Sequence, residues 1–131
     1  MKIPNKKVRL QISTSDDRSS KEYSFDIEFF VFREEDRYIA YCPSLDISTS
    51  GENFNDAIGN FYEMFQLHIE CCLEAGTLCE DLIAHGWKIK KKTIIPPSFH
   101  SLMKQPEMKS LMEGNIGYEK VVAPVRVPAL V

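Results

Sequence analysis

Apolar residues recur along residues 54–72 in steps of three and four. Phe54, Ile58, Phe61, Phe65, Ile69 and Cys72 therefore fall on one side of a helix and demand a surface to cover. Asn55, Asp56, Asn60, Glu63, Gln66 and Glu70 take the remaining directions. Asn53 has the chemistry of an N-cap, with Asp56 in the reciprocal capping place, and Gly76 suits the left-handed residue that ends a helix. The spacing predicts a helix over residues 53–75, about 33 Å long at 1.5 Å per residue. Gly59 lies inside it, and a glycine there implies close approach by another backbone.

A sheet is the natural partner for such a stripe, and the preceding residues predict one. Tyr23, Phe25, Ile27, Phe29 and Val31 alternate at period two, with Phe30 and Phe32 on the opposite face. Residues 34–36 read as a charged hairpin tip, 37–42 as the return strand stopped by Pro43, and 47–50 as a third strand ended by Gly51. A short strand over residues 7–12 and a polar loop over 13–20 come before them. After the long helix, residues 77–85 predict a short second helix closed by Gly86, and residues 87–89 a further strand. The fold class expected is α+β: an antiparallel β-meander, a long amphipathic helix, then a short helix. Pro96-Pro97 suggest a boundary between a main unit, 1–95, and a C-terminal extension, 96–131. The extension reads as a helix broken or kinked at Pro106, followed by a β-branched segment over 118–131. Pro124 and Pro128 would confine that segment to a sheet edge or an extended tail.

Charge is distributed in blocks. Residues 1–21, 22–81 and 82–131 carry +4, −12 and +5, which add to the formal −3. The central block repels phosphate, the main source of nucleic-acid affinity, and attracts basic proteins. No apolar run approaches the roughly 18 residues of a membrane span. The basic N-terminus has no apolar stretch behind it, so no signal peptide is expected. Cys42, Cys71, Cys72 and Cys79 form no disulfide-like framework, which suits the cytoplasm.

The segments Tyr38-Ile39-Ala40-Tyr41-Cys42-Pro43-Ser44-Leu45, Ser48-Thr49-Ser50-Gly51-Glu52-Asn53-Phe54-Asn55-Asp56-Ala57-Ile58 and Leu67-His68-Ile69-Glu70 together resemble the HicB antitoxin family. The features shared are an aromatic-rich strand ending in proline, a glycine, a capped helix opening and an apolar-His pair late in the helix. The resemblance spans residues 29–76. It implies a partial ribonuclease-H-like fold without that fold's catalytic set, a tendency to self-associate, and a partner of the HicA type, a small basic toxin ribonuclease held by occlusion. Family members typically carry a C-terminal DNA-binding module. After Pro97 this chain offers a helix and then a strand, whereas a ribbon–helix–helix needs a strand and then two helices, so direct DNA binding is not expected.

The candidate partner-binding residues are Glu52, Asp56, Glu63 and Glu70 for steering, and Phe32 and Tyr38 for an apolar centre. Three other chemistries have residues to draw on. Asp26, Glu28, Asp36, Asp46 and Glu52 could serve a carboxylate-dependent nuclease, but Asp26 and Glu28 alternate onto a solvent face, Asp36 sits at a hairpin tip and the set matches no motif, so no catalytic residue is assigned. His68 or His85 with Cys72 and Cys79 fit no standard zinc spacing, and neither metal nor other cofactor is expected. Lys88, Lys90, Lys91 and Lys92 could meet phosphates as a nucleic-acid-binding regulator would, although a solvated or protected sheet edge is the simpler reading.

Overall fold

The computed structural model describes residues 10–11, 22–90, 93–114 and 117–128. The fold is α+β. The elements are β1 (Leu10–Gln11), β2 (Glu22–Glu34), β3 (Arg37–Cys42), β4 (Ile47–Gly51), α1 (Phe54–Ala75), α2 (Leu78–Ala84), β5 (Lys88–Lys90), β6 (Thr93–Ile95), α3 (Phe99–Leu102), α4 (Pro106–Glu113) and β7 (Tyr118–Pro128). The main sheet has the order β1-β7-β2-β3-β4, and β5 and β6 form a separate hairpin. The expected meander, long helix and short helix are all present. Most of the expected strand over 7–12, the loop over 13–20 and the end of the C-terminal segment lie outside the described residues. No helix among the described residues is long and apolar enough to cross a membrane.

Period two in β2 decides the two sides of the sheet. Phe25, Ile27, Phe29 and Val31 point to one face, where they meet Ile58, Phe61, Phe65 and Ile69 of α1. Phe29 stacks on Phe61 at 4.1 Å between ring centroids. Trp87, just past α2, closes this core edge-on to Phe25 at 5.1 Å. Its indole N–H donates to the Ser44 carbonyl at 2.7 Å, so the large ring is buried with its one polar atom satisfied. On the other face Phe30 and Tyr41 pack against Met108 and Leu111 of α4.

The C-terminal segment corrects one expectation. β7 is not an edge or a free tail throughout. It pairs antiparallel with β2 from Tyr118 to Pro128, and β1 pairs parallel on its far side at Val125 and Arg126. Val121, Ala123, Val125 and Val127 are buried in the main core. Pro124 lies opposite Asp26, one step before the stretch where β1 docks. The 96–131 extension therefore shares the sheet and core of the main unit. Its helix is broken at Pro106, as the sequence predicts, and Pro106 opens α4 in the first turn, where no intrahelical N–H is lost.

The caps of α1 follow the sequence with a shift. Asn53 Oδ1 accepts from the Asp56 N–H at 2.8 Å. Asp56 Oδ2 in turn accepts from the Glu52 N–H at 2.9 Å, one residue upstream of the usual reciprocal bond. Gly76 has φ 68° and ends the helix with N–H bonds from Gly76 to the Leu73 carbonyl and from Thr77 to the Cys72 carbonyl, the Schellman pattern. The close backbone approach expected at Gly59 is absent. A Cβ there would meet nothing within 4 Å. Close approach occurs at Gly51 instead, where a Cβ would overlap the Ala57 backbone, because β4 turns directly into α1.

Candidate functional site

Seven-residue spacing places Asp56, Glu63 and Glu70 on one line along α1, and all three are exposed. From Asp56 to Glu70 the line runs about 21 Å. Glu74, one turn beyond Glu70, extends it. Glu52 is exposed just before the helix starts. Leu67 lies between Glu63 and Glu70 and is 57% exposed, an apolar side chain among carboxylates. Residues 54–84 include six acidic residues and no lysine or arginine. The last turn of α1 has no basic residue, so Glu70 and Glu74 face the negative end of the helix dipole uncompensated. Asp56, at the other end, is favoured by the dipole and is already engaged in capping. Gln66 donates to Glu70 at 3.1 Å.

The aromatic centre expected at Phe32 and Tyr38 does not form. Phe32 packs with the cluster under α4, whereas Tyr38 packs against the core under α1. Phe32 pairs with Ile39 across the β2–β3 ladder, so Tyr38 is one register step away and its side chain leaves by the opposite face. The two rings are therefore separated by the thickness of the sheet. Leu67, set within the acidic line, and Ile83 of α2 are exposed apolar side chains.

Lys88 and Lys90 are exposed on one side of the β5–β6 hairpin, while Lys91 and Lys92 lie outside the described residues. Among the nuclease candidates, Asp36 is at the exposed hairpin tip. Glu28 faces Lys120 at 3.8 Å. Asp26 and Glu28 line a cleft of about 240 Å³ with Ser44, Pro97 and Phe99, smaller than the roughly 300–1,000 Å³ usual for small-molecule sites. Asp46 sits at φ 53° with Oδ1 3.2 Å from the Tyr41 hydroxyl. Among the described residues these carboxylates do not gather as three donors around one point.

Three other side chains do gather. His68 Nε2 is 2.9 Å from Asp81 Oδ2 and 3.8 Å from Cys72 Sγ, and the three donor atoms lie within 4.8 Å of one another. His68 and Cys72 are four apart on α1, and the Gly76 turn brings Asp81 of α2 across to them. His85 Nδ1 bonds the Asp81 carbonyl at 2.8 Å and lies 3.9 Å from its carboxylate. Burial pushes the Cys72 thiol up from its ordinary range. Sequence reasoning singled out His68, His85, Cys72 and Cys79. It missed Asp81, which does not belong to any familiar ligand spacing and is joined to the others only by the turn. The His68-to-Cys72 step was the available signal.

A second contact missed from sequence ties α4 to the sheet. Gln105 Nε2 donates to the Pro43 carbonyl at 3.0 Å, which leaves its Oε1 facing the Tyr41 hydroxyl at 2.6 Å. Tyr41 has one hydrogen to give, so the short bond to Gln105 takes it. Burial, followed by the charges of Asp46 and Glu107, pushes the Tyr41 phenol upward.

No protein-family model, no curated protein and no solved structure matches this chain.

Proposed function

We propose that this chain is a binding protein of the HicB antitoxin type that occludes a small basic partner, such as a toxin ribonuclease, in the cytoplasm. The observation that carries the reading is the exposed acidic line Asp56, Glu63 and Glu70, with Leu67 set within it and Glu74 extending it to the uncompensated end of α1. A negative charge at the negative end of a helix dipole reduces stability by a few tenths of a kcal/mol. A cationic partner would turn that deficit into attraction and speed its own docking. The order of meander and long helix agrees with the partial ribonuclease-H-like arrangement the resemblance implies. Four free cysteines agree with a reducing compartment. Self-association belongs to the same proposal, with the outer edge of β4, paired only to β3 among the described residues, as the available strand.

The test is co-expression of the full chain with a short basic reading frame adjoining its gene. Rescue of growth and co-purification are expected. Glu63→Lys with Glu70→Lys should slow association most at low salt, since both side chains are exposed and the fold is retained. Absence of such a frame, or co-purification indifferent to the charge reversal, would refute the reading. RNA binding lost on replacing Lys88, Lys90, Lys91 and Lys92 would favour a nucleic-acid regulator instead.

A further inference from the structure

We propose that His68, Cys72 and Asp81 form a binding site for a zinc-class divalent ion that clips α1 to α2. The three donors are one imidazole nitrogen, one sulfur and one carboxylate oxygen, the set that zinc accepts. Zinc bonds of about 2.0 Å to nitrogen and oxygen and 2.3 Å to sulfur put tetrahedral donors about 3.3–3.6 Å apart. The observed separations of 2.9 Å for His68 Nε2 to Asp81 Oδ2 and 3.8 Å for His68 Nε2 to Cys72 Sγ bracket that range. The third pair, Cys72 Sγ and the Asp81 carboxylate, lies within 4.8 Å, so side-chain shifts of up to about 1 Å would accommodate the ion. The backbone positions are already set by helical spacing on one side and by the Gly76 turn on the other.

All three donors belong to partly exposed side chains, those of His68 and Asp81 at 28% and 23%, so water can reach the remaining coordination position and complete the tetrahedron. His85 holds the Asp81 carbonyl at 2.8 Å and so fixes the end of α2 against which the carboxylate turns. Binding requires the Cys72 thiol to give its proton to solvent as the sulfur–metal bond forms. Oxygen-preferring ions such as magnesium gain nothing from sulfur and imidazole, so the site selects against them. Without an ion, the same residues make a His68–Asp81 hydrogen bond and a longer His68–Cys72 contact, and the two readings part on metal binding.

The experiment uses full-length protein stripped with chelator and titrated with cobalt(II), whose thiolate and tetrahedral bands report the ligands directly. A saturable one-to-one signal with a near-ultraviolet sulfur band is expected, displaced by zinc and indifferent to excess magnesium. Zinc should raise the melting temperature by about 5 °C through linkage. Cys72→Ser should abolish the sulfur band. His68→Gln and Asp81→Asn should each weaken cobalt binding at least about 100-fold, beyond the 10–100-fold seen for outer-shell partners. Cys71→Ser and Cys79→Ser should bind as the parent does. Because Cys72 is buried, far-ultraviolet circular dichroism of the metal-free variants accompanies each titration. If Cys72→Ser does not fold, the exposed-side variants His68→Gln and Asp81→Asn decide. No saturable cobalt signal, or a signal kept in both of those variants, would overturn the site. A signal lost in the Cys71 or Cys79 variant would overturn it equally.

Discussion

The two faces of the sheet are covered by different means. Under α1 and α2, the faces of β2, β3 and β7 present an unbroken apolar surface, and a helix of 22 residues lies across it. Under α3 and α4, the buried side chains of the sheet among the described residues are Phe30 and Tyr41, against Met108 and Leu111. The same β2 that offers Phe25, Ile27 and Phe29 to the first face offers Asp26 and Glu28 to the second, and the cleft beside them stays open. The first face is held by area. The second is held by a small cluster and by the chain of hydrogen bonds from Tyr41 through Gln105 to the Pro43 carbonyl. Burial energy scales with apolar area, while a net hydrogen bond contributes about 1 kcal/mol. The α3–α4 layer should therefore be the first unit to open, and the α1 layer the last.

The largest expected effect comes from removing a strand both faces share. A chain ending after Gly117 lacks Val121, Ala123, Val125 and Val127 and leaves the edge of β2 that faces β7 unpaired from Glu22 to Phe32. It should fail to fold, with no cooperative transition by circular dichroism. A folded, cooperative truncated chain would show that the C-terminal strand is an accessory after all.

Next come truncations within each face. Phe29→Ala should lower global stability by about 3–5 kcal/mol in urea unfolding. Met108→Ala, although fully buried, should lower it by about 2 kcal/mol and chiefly speed amide exchange in α4 and around Gln105. Equal losses of global stability in the two variants would erase the distinction between the faces.

Alkaline pH sharpens the comparison, because the raised groups belong to both faces. Burial pushes Cys42 up to about 11 and Tyr62 up to about 12, and Tyr41 is raised as well. In each case the folded state favours the neutral form. The unfolded chain ionises first, near pH 9 for the thiol and 10 for the phenols, so stability is complete below pH 9 and falls above it. Tyr62→Phe should remove the part of this loss between pH 10 and 12. It should also slightly raise stability at neutral pH, since the Tyr62 hydroxyl is buried without a hydrogen-bond partner among the described residues. Tyr41→Phe should remove alkaline loss too, while lowering neutral stability by about 1 kcal/mol through release of Gln105. A Tyr41→Phe variant as stable as the parent at pH 7 would deny the Gln105 link its role.

The smallest expected effect is Gly59→Ala. The site is helical, exposed and open, so the change should stabilise by about 0.5–1 kcal/mol in thermal unfolding. Destabilisation would mean that something packs on this part of α1 in solution.

Period by itself determined the elements of the first face. Alternation in residues 23–31 and three- and four-residue steps in 54–72 each leave one apolar side, and only burial of one against the other satisfies both. Caps were equally legible at Asn53 and Gly76, because they depend on neighbours within one turn. The acidic line Asp56, Glu63 and Glu70 was legible for the same reason: helical geometry places it without reference to anything distant. What lay beyond the sequence were contacts between residues far apart in it. Only the tertiary structure decided that Phe32 and Tyr38 leave opposite sides of the sheet, which follows from the register of the β2–β3 hairpin. Only it decided that β7 lies between β1 and β2, since proline restricts a strand's hydrogen bonds on one side and does not say which neighbour stands there. It also brought Asp81 to His68 and Cys72. Helical spacing joined the histidine to the thiol, but the direction in which the Gly76 turn sends α2 is set by the packing of Leu78 and Leu82 in the core, and that packing depends on the whole fold.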